Sequence, residues 1–242
     1  MAPAGASTGE PEAGLPAIGR LGRRELAGAS AGFLKRGAWS KADVLLVVAR
    51  EGRFIVKDYG ARSWPVRLAG AIQLAREERA YTALEGIRGI PRLGCRIDRN
   101  AIAVEYIEGM RLPKFHKYRP DPGLALRLQE LLDRIHARGV IHNDIRSRDN
   151  ILVTPGGTLC LIDFSSASIF REGAGRRLLM PFFMRNERRA LLKWKSAIAP
   201  EHMTAEEWAI HRRFGLMRRL WPFNPKHDLE VKRARAARRE GP

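Results

Sequence analysis

The chain has 242 residues, 45% hydrophobic and 29% charged, with a net charge of +18 and a sequence pI near 11.0. That length and apolar share suit one large domain or two closely packed lobes. Two cysteines, Cys95 and Cys160, without zinc-type spacing exclude a disulfide framework and a Cys/His metal cluster and fit a reducing cytosol, and no apolar run reaches the ~20 residues of a membrane span.

Residues 1–30 are rich in Ala, Gly, Pro and Ser, have little apolar periodicity, and read as a mostly disordered leader without the pattern of a secretory signal. Residues 35–43 hold a single glycine, Gly37, followed by Ser40 and Lys41. Val44 to Val48, a turn at Glu51-Gly52, and Phe54 to Lys57 predict a β-hairpin that ends on a lysine. Residues 70–85 predict a helix whose stripe carries Leu74, Tyr81 and Leu84. At 100° per residue Glu77 falls inside that stripe and Glu78 at its edge. A carboxylate on a buried face needs a partner, because an unpaired buried charge is costly. Lys57, twenty residues earlier, is the natural one, and Glu77 is preferred to Glu78 for that pair.

Arg92 to Ile97, a turn at residues 98–100, and Ala101 to Tyr106 predict a second hairpin that runs into Glu105-Tyr106-Ile107-Glu108-Gly109. A helix is expected from about 122 to 138, with Asp121 capping, Pro122 in the first turn, Leu124, Leu128, Leu131, Leu132 and Ile135 as its core stripe, and Gly139 at its stop. Then comes His142-Asn-Asp-Ile-Arg-Ser-Arg-Asp-Asn150. The apolar runs Ile151 to Val153 and Leu159 to Ile162, joined at Pro155-Gly156-Gly157, predict a third hairpin. It would hold Asn150 and Asp163 near each other at one end, and two hard oxygen ligands there suit Mg2+. Beyond residue 170 the pattern is helical. Thr204 with Glu207 is a capping-box candidate, and Ile210, Phe214, Met217 and Trp221 share a face.

The His142-Asn-Asp144 loop, Asn150 before Ile-Leu-Val, and Ile162-Asp163-Phe164 together resemble the protein-kinase-like superfamily, in particular bacterial kinases of the RIO type and the lipopolysaccharide-core sugar kinases. Lys57, Glu77, the 105–109 segment, Asp144 with Asn150, and Asp163 stand in that family's order across about residues 40–168. The resemblance implies an α+β, two-lobed protein-kinase-like fold with a small antiparallel-sheet N-lobe (31–104), a hinge (105–109) and a mainly helical C-lobe (110–228), followed by a basic tail (229–242). It implies ATP and Mg2+, or Mn2+, as cofactors. Asp144 would receive the acceptor hydroxyl's proton, and Arg146, or Arg148, would neutralise developing phosphate charge. Asn150 and Asp163 would hold the metal, and Lys57 with Glu77 would fix the phosphates. Backbone groups of Glu105 and Ile107 would read the adenine edge. Ser40 and Lys41 would contact phosphate in place of the missing glycine-rich loop, or that stretch is a plain strand edge. His142 is expected to be a structural hydrogen-bonder, and Glu187 would brace the catalytic loop.

Two departures stand out: one extra residue between Asp144 and Asn150, and Ser165 where the family has Gly, with no activation-segment signature after it. Regulation by activation-loop phosphorylation is therefore not expected. The activity implied is an ATP-dependent phosphotransferase with a hydroxyl acceptor, a RIO-like serine/threonine protein kinase first, a Kdo-type sugar kinase second, and a nucleotide-binding scaffold third. The partner is then a hydroxyl on a protein or on an anionic glycolipid, and the place is the cytoplasm or the periphery of the inner membrane. Residues 171–242 hold 18 Lys+Arg against 8 Asp+Glu, and the run Val231 to Arg239 could attach weakly to anionic lipid. The basic balance equally fits a general preference for Arg, and no aromatic RNA-binding signature supports nucleic acid.

Overall fold

The computed structural model describes residue 19 and residues 21–28, 32–112 and 121–220. The first half is an antiparallel sheet with one helix on each face. Helix α1 (Arg23–Gly28) is followed by strands β1 (Gly32–Lys35), β2 (Asp43–Ala49) and β3 (Gly52–Asp58), then helix α2 (Trp64–Ala83), then β4 (Leu93–Asp98) and β5 (Ala101–Glu105). The strand order is β1-β2-β3-β5-β4, every neighbouring pair antiparallel. Alternation along the strands sorts side chains between the faces. Phe54 and Val56 of β3 and Ala101 and Ala103 of β5 pack with Leu21 and Leu26 beside and on α1. Ile102 and Val104 face the opposite way, into the core that α2 shares.

Residues 23–28, inside the stretch expected to be a mostly disordered leader, form α1 instead: Leu21 just before it and Leu26 on it are buried, and Arg23 bridges Asp58 of β3 and Asp98 of β4. Six residues in an Ala/Gly-rich stretch carry too few turns to show a helical period. Most of the rest of the expected leader, Trp221 of the expected helical face and the basic run from Val231 to Arg239 lie outside the described residues.

Helix α2 begins at Trp64, six residues before the expected start, with Pro65 in its first turn. Its inward face carries Gly70, Leu74, Glu77, Tyr81 and, just past its end, Leu84. At Gly70 a β-carbon would collide with the Tyr59 ring, so only glycine lets the helix lie flat on that ring.

The second half starts with β6 (Met110–Arg111) and helix α3 (Gly123–Ala137). Asp121 accepts from the Gly123 amide at 2.9 Å, and Gly139, at φ 72°, closes the helix end where a β-carbon would strike the Phe170 carbonyl. Strand β7 (Val140–Ile141) leads into the 142–150 loop, then β8 (Ile151–Val153) and β9 (Leu159–Leu161) form the third hairpin. Strand β10 (Ser168–Ile169) pairs with β7. Helices α4 (Ala174–Ile198) and α5 (Ala205–Leu220) complete the described chain. Thr204 and Glu207 form a reciprocal capping box before α5, 2.9 and 3.1 Å. The architecture is thus α+β, a five-stranded antiparallel sheet followed by a mainly helical half, compatible with a two-lobed kinase-like fold. One continuous core runs from Leu74 and Tyr81 of α2 through Leu128 and Ile135 of α3 to Trp194 of α4. No helix among the described residues is long and apolar enough to cross a membrane.

Candidate active site

Lys57 comes from the inward face of β3, Glu77 from the buried face of α2, and Asp163 from the turn after β9. The lysine joins them: its Nζ lies 2.6 Å from Glu77 Oε1 and 2.9 Å from Asp163 Oδ1. Glu77 is fully buried, the Lys57 side chain keeps 18% of its surface and that of Asp163 keeps 42%, so the cluster opens to solvent on the Asp163 side. Glu78 instead meets Arg96 at 2.9 Å at the surface.

Burial alone would lower the Lys57 ammonium's pKa, but attraction to Glu77 and Asp163 outweighs it and holds the group above its ordinary value. Burial likewise opposes the Asp163 charge, yet Lys57 and hydrogen bonding to Ser165 pull its carboxyl down to about 2. Burial pushes Glu77 up, partly countered by Lys57, and its Oε2 makes no hydrogen bond. The Asp163 carboxylate, ionised at neutral pH, is the member of the cluster that faces the opening.

Asp144 and Asn150 form the second pair. Asn150 Nδ2 donates to the Asp144 carboxylate at 2.9 Å and to the Asp144 carbonyl at 3.0 Å. Asp144 is exposed and Asn150 buried. The Ile162 amide donates to the Asn150 carbonyl at 3.0 Å, one step beyond the Ile151–Leu161 register pair. The hairpin therefore brings Asn150 beside the residue that precedes Asp163. Because its amide nitrogen serves Asp144, Asn150 Oδ1 faces no such demand, and Asp163 Oδ2 makes no described hydrogen bond. Two hard oxygen donors are left over, a set that fits Mg2+ or Mn2+ completed by phosphate oxygens and water. No group of three or more His, Cys, Asp or Glu among the described residues could hold a metal by itself.

The 142–146 loop is braced from beneath. Asn143 sits at φ 66° and Asp163 at φ 65°, the two non-glycine residues with positive φ among those described. Glu187 of α4 accepts from the Asn143 amide at 2.7 Å and meets His136 Nε2 at 2.6 Å. His142, fully buried, accepts the Asp144 amide at Nδ1 (3.2 Å), so its Nε2–H donates to the Ile162 carbonyl at 3.1 Å. Trp194 of α4 donates its indole N–H to the Ile145 carbonyl at 2.6 Å, and Lys193 donates to the Arg146 carbonyl at 3.2 Å. The Phe164 ring is buried between Tyr81 (5.2 Å between centroids) and His142 (4.6 Å), and the Tyr81 hydroxyl accepts the Asp163 amide at 3.2 Å. From the sequence Trp194 carries no role, Tyr81 only a place on the helix stripe and Phe164 only a place in the Ile162-Asp163-Phe164 run.

The remaining candidates are less tightly tied in. Arg146 is exposed next to Asp144, and Arg148 is half-buried. The Glu105 carboxylate accepts from the Arg92 amide at 2.9 Å and the Glu105 amide donates to the Arg92 carbonyl at 2.9 Å, which leaves its backbone carbonyl for a ligand edge. The Ile107 amide has no partner among the described residues. Ser40 lies in the exposed turn between β1 and β2. That turn is closed by Asp43, which accepts the Gly37 amide at 2.8 Å and pairs with Arg62. Val44 stands opposite Lys57 in the β2–β3 ladder, so the turn sits at the Lys57 end of the sheet. Ser40 makes no described contact with the charged cluster.

No family model matches the chain. It is similar to a protein of Oryza sativa subsp. japonica described as "Putative cyclin-dependent kinase F-2", 31% identical over 134 residues. The match covers 45% of this chain and 40% of that protein. The likeness is distant, and the chain spans less than half the length of that relative.

Proposed function

We propose that the chain is an ATP-dependent phosphotransferase that moves the γ-phosphoryl group to a hydroxyl acceptor, most closely as a RIO-like serine/threonine protein kinase. The observation that carries this reading is the meeting of two separately built pairs, Lys57–Glu77 and Asp144–Asn150, at Asp163 and its neighbour.

Lys57, held charged and aimed by Glu77, binds phosphate oxygens. Asp144, held by the Asn150 amide, accepts the proton of the acceptor hydroxyl. The hydroxyl oxygen bonds to the γ-phosphorus as the bond to the β–γ bridging oxygen breaks, and ADP leaves. Arg146 offsets negative charge at the transferred group. Asn150 and Asp163 would hold Mg2+ or Mn2+, which when bound neutralises phosphate charge. The Glu105 and Ile107 backbone would take the adenine edge, and the Ser40 turn would lie over the phosphates. Little covalent work falls to the protein, so positioning and electrostatics supply the rate.

Exposed Arg146 and half-buried Arg148 and Lys193 by the loop favour an anionic acceptor. That supports a second reading, a Kdo-type lipopolysaccharide-core sugar kinase working in the cytoplasm at the inner membrane. Labelled ATP with Mg2+ or Mn2+ and cell extract, split into protein and lipopolysaccharide fractions, separates the readings. Label in protein supports the first and label in glycolipid the second, while binding without transfer makes the chain a scaffold. Asp144→Ala is expected to keep nucleotide affinity and lose on the order of 10²-fold or more in turnover, the usual contribution of a positioned base. Undiminished transfer in that variant removes Asp144 from the mechanism.

A further inference from the structure

Helix α4 has two faces of different character. Its inward face holds Met180, Glu187, Ala190, Leu191 and Trp194 and belongs to the core or to the brace under the 142–146 loop. Its outward face opens on apolar residues: Leu178 is 77% exposed, Phe182 64% and Leu179 56%. Leu178 and Phe182 stand four residues apart, so they share a stripe. Along the chain that stripe continues as Arg185, Arg189 and Lys193, the lysine already bonded to the Arg146 carbonyl. Apolar turns thus lead into basic turns, and the basic turns end at the catalytic loop.

We propose that this outward stripe of α4 is a docking surface for an anionic lipid bilayer. Three observations select that occupant. The exposed charged residues across 171–189 are five arginines and one glutamate, Glu172, which favours a negative partner. Arg185 and Arg189 lie at i, i+4, like charges at repelling spacing; burial first and then this repulsion lower the Arg189 pKa. A sheet of anionic headgroups relieves that repulsion, whereas the chain's own last segment would not, because residues 221–242 hold 6 Lys+Arg against 3 Asp+Glu. Finally, large side chains with basic neighbours match the way a helix lies in a membrane surface: rings and leucines enter the headgroup boundary, and arginine stems follow with their charges at the phosphates. Glu206 of α5 lies 4.0 Å from Arg188 at the edge of this face. Docked in this way, the helix brings the rim of the loop that holds Asp144 close to the headgroup plane.

The test is sedimentation of the full chain with phosphatidylcholine vesicles, with and without phosphatidylglycerol. The unaltered chain is expected to sediment with the anionic vesicles and to release as salt rises. Leu178→Ser with Phe182→Ser, at exposed positions outside the catalytic machinery, is expected to weaken sedimentation at least tenfold with an unchanged melting temperature. Arg185→Gln with Arg189→Gln is expected to weaken it and flatten its salt dependence. The proposal is overturned by sedimentation indifferent to phosphatidylglycerol, by absence of sedimentation, or by full retention in the Leu178/Phe182 variant. Retention there would place lipid attachment elsewhere, as in the basic terminal run. A dimer abolished by the same double substitution, without vesicle binding, would assign the face to a second copy. These readouts involve no phosphoryl transfer, so they stand or fall apart from the kinase reading.

Discussion

Replacing Glu77 with Gln keeps the shape of a buried side chain and removes its charge. At the 2.6 Å that separates Lys57 Nζ from Glu77 Oε1, two unit charges attract by about 6 kcal/mol at an effective dielectric near 20. Desolvation offsets part of this, and deleting one partner of a buried pair costs about 3–5 kcal/mol. Gln still offers Lys57 an oxygen acceptor and Asp163 stays at 2.9 Å, which returns about 1–2 kcal/mol. The expected net loss is about 2–3 kcal/mol, or about 4–12 °C in melting temperature for a chain of this size. Glu78→Gln is the control. Its partner Arg96 and Glu78 itself are 23% and 33% exposed, and such pairs contribute about 1 kcal/mol at most. Thermal unfolding of the two variants, with ATP titration of each, is the assay. Glu77→Gln should melt well below Glu78→Gln and bind ATP more weakly, because Lys57 is no longer aimed. If Glu77→Gln melts no lower than Glu78→Gln, the paired lysine is not an organising element of the fold.

Asp163 gives a pH dependence of known sign. Its carboxyl is held at about 2 in the folded chain against an ordinary 3.8, so its contribution is complete above the ordinary value and fades as pH falls toward 2. Asp163→Asn should therefore be less stable than the unaltered chain at pH 7, with the gap closing across that window, modestly because the side chain is 42% exposed. Urea unfolding at pH 7, 4 and 2.5 measures it, and a gap constant with pH would contradict the assignment. Trp194→Phe keeps most of the ring packing and loses the indole bond to the Ile145 carbonyl, a cost of about 1–3 kcal/mol if that oxygen stays unpaired. Turnover should drop while ATP affinity holds, since Trp194 touches the acceptor loop and not the lysine cluster; a parallel loss of affinity would count against a loop-specific brace.

The charged pair was legible in the sequence because a carboxylate inside an apolar stripe has few physical solutions, and Lys57 ends the strand that can reach it. The hairpin that sets Asn150 beside Ile162 was legible from two short apolar runs around a Pro-Gly-Gly turn. Helix α2 was located too late in the chain because the apolar residues of its first half, Trp64, Leu68 and Ile72, point outward. They blur the stripe that periodicity detects. Trp194 escaped assignment because its partner lies 49 residues away, and no local pattern encodes a bond from an indole to a distant carbonyl. The 105–109 segment stayed weakly specified because backbone recognition asks little of side-chain identity.

The small N-terminal helix changes where the folded unit begins. Motif spacing alone would start the unit at the first strand, and a protein trimmed there would lose the cover over Val47, Phe54 and Val56 together with the arginine clasp on Asp58 and Asp98. Such a shortened version would present a bare oily sheet to solvent, one step along the strand from Lys57, and its poor behaviour would be mistaken for a defect of the charged cluster.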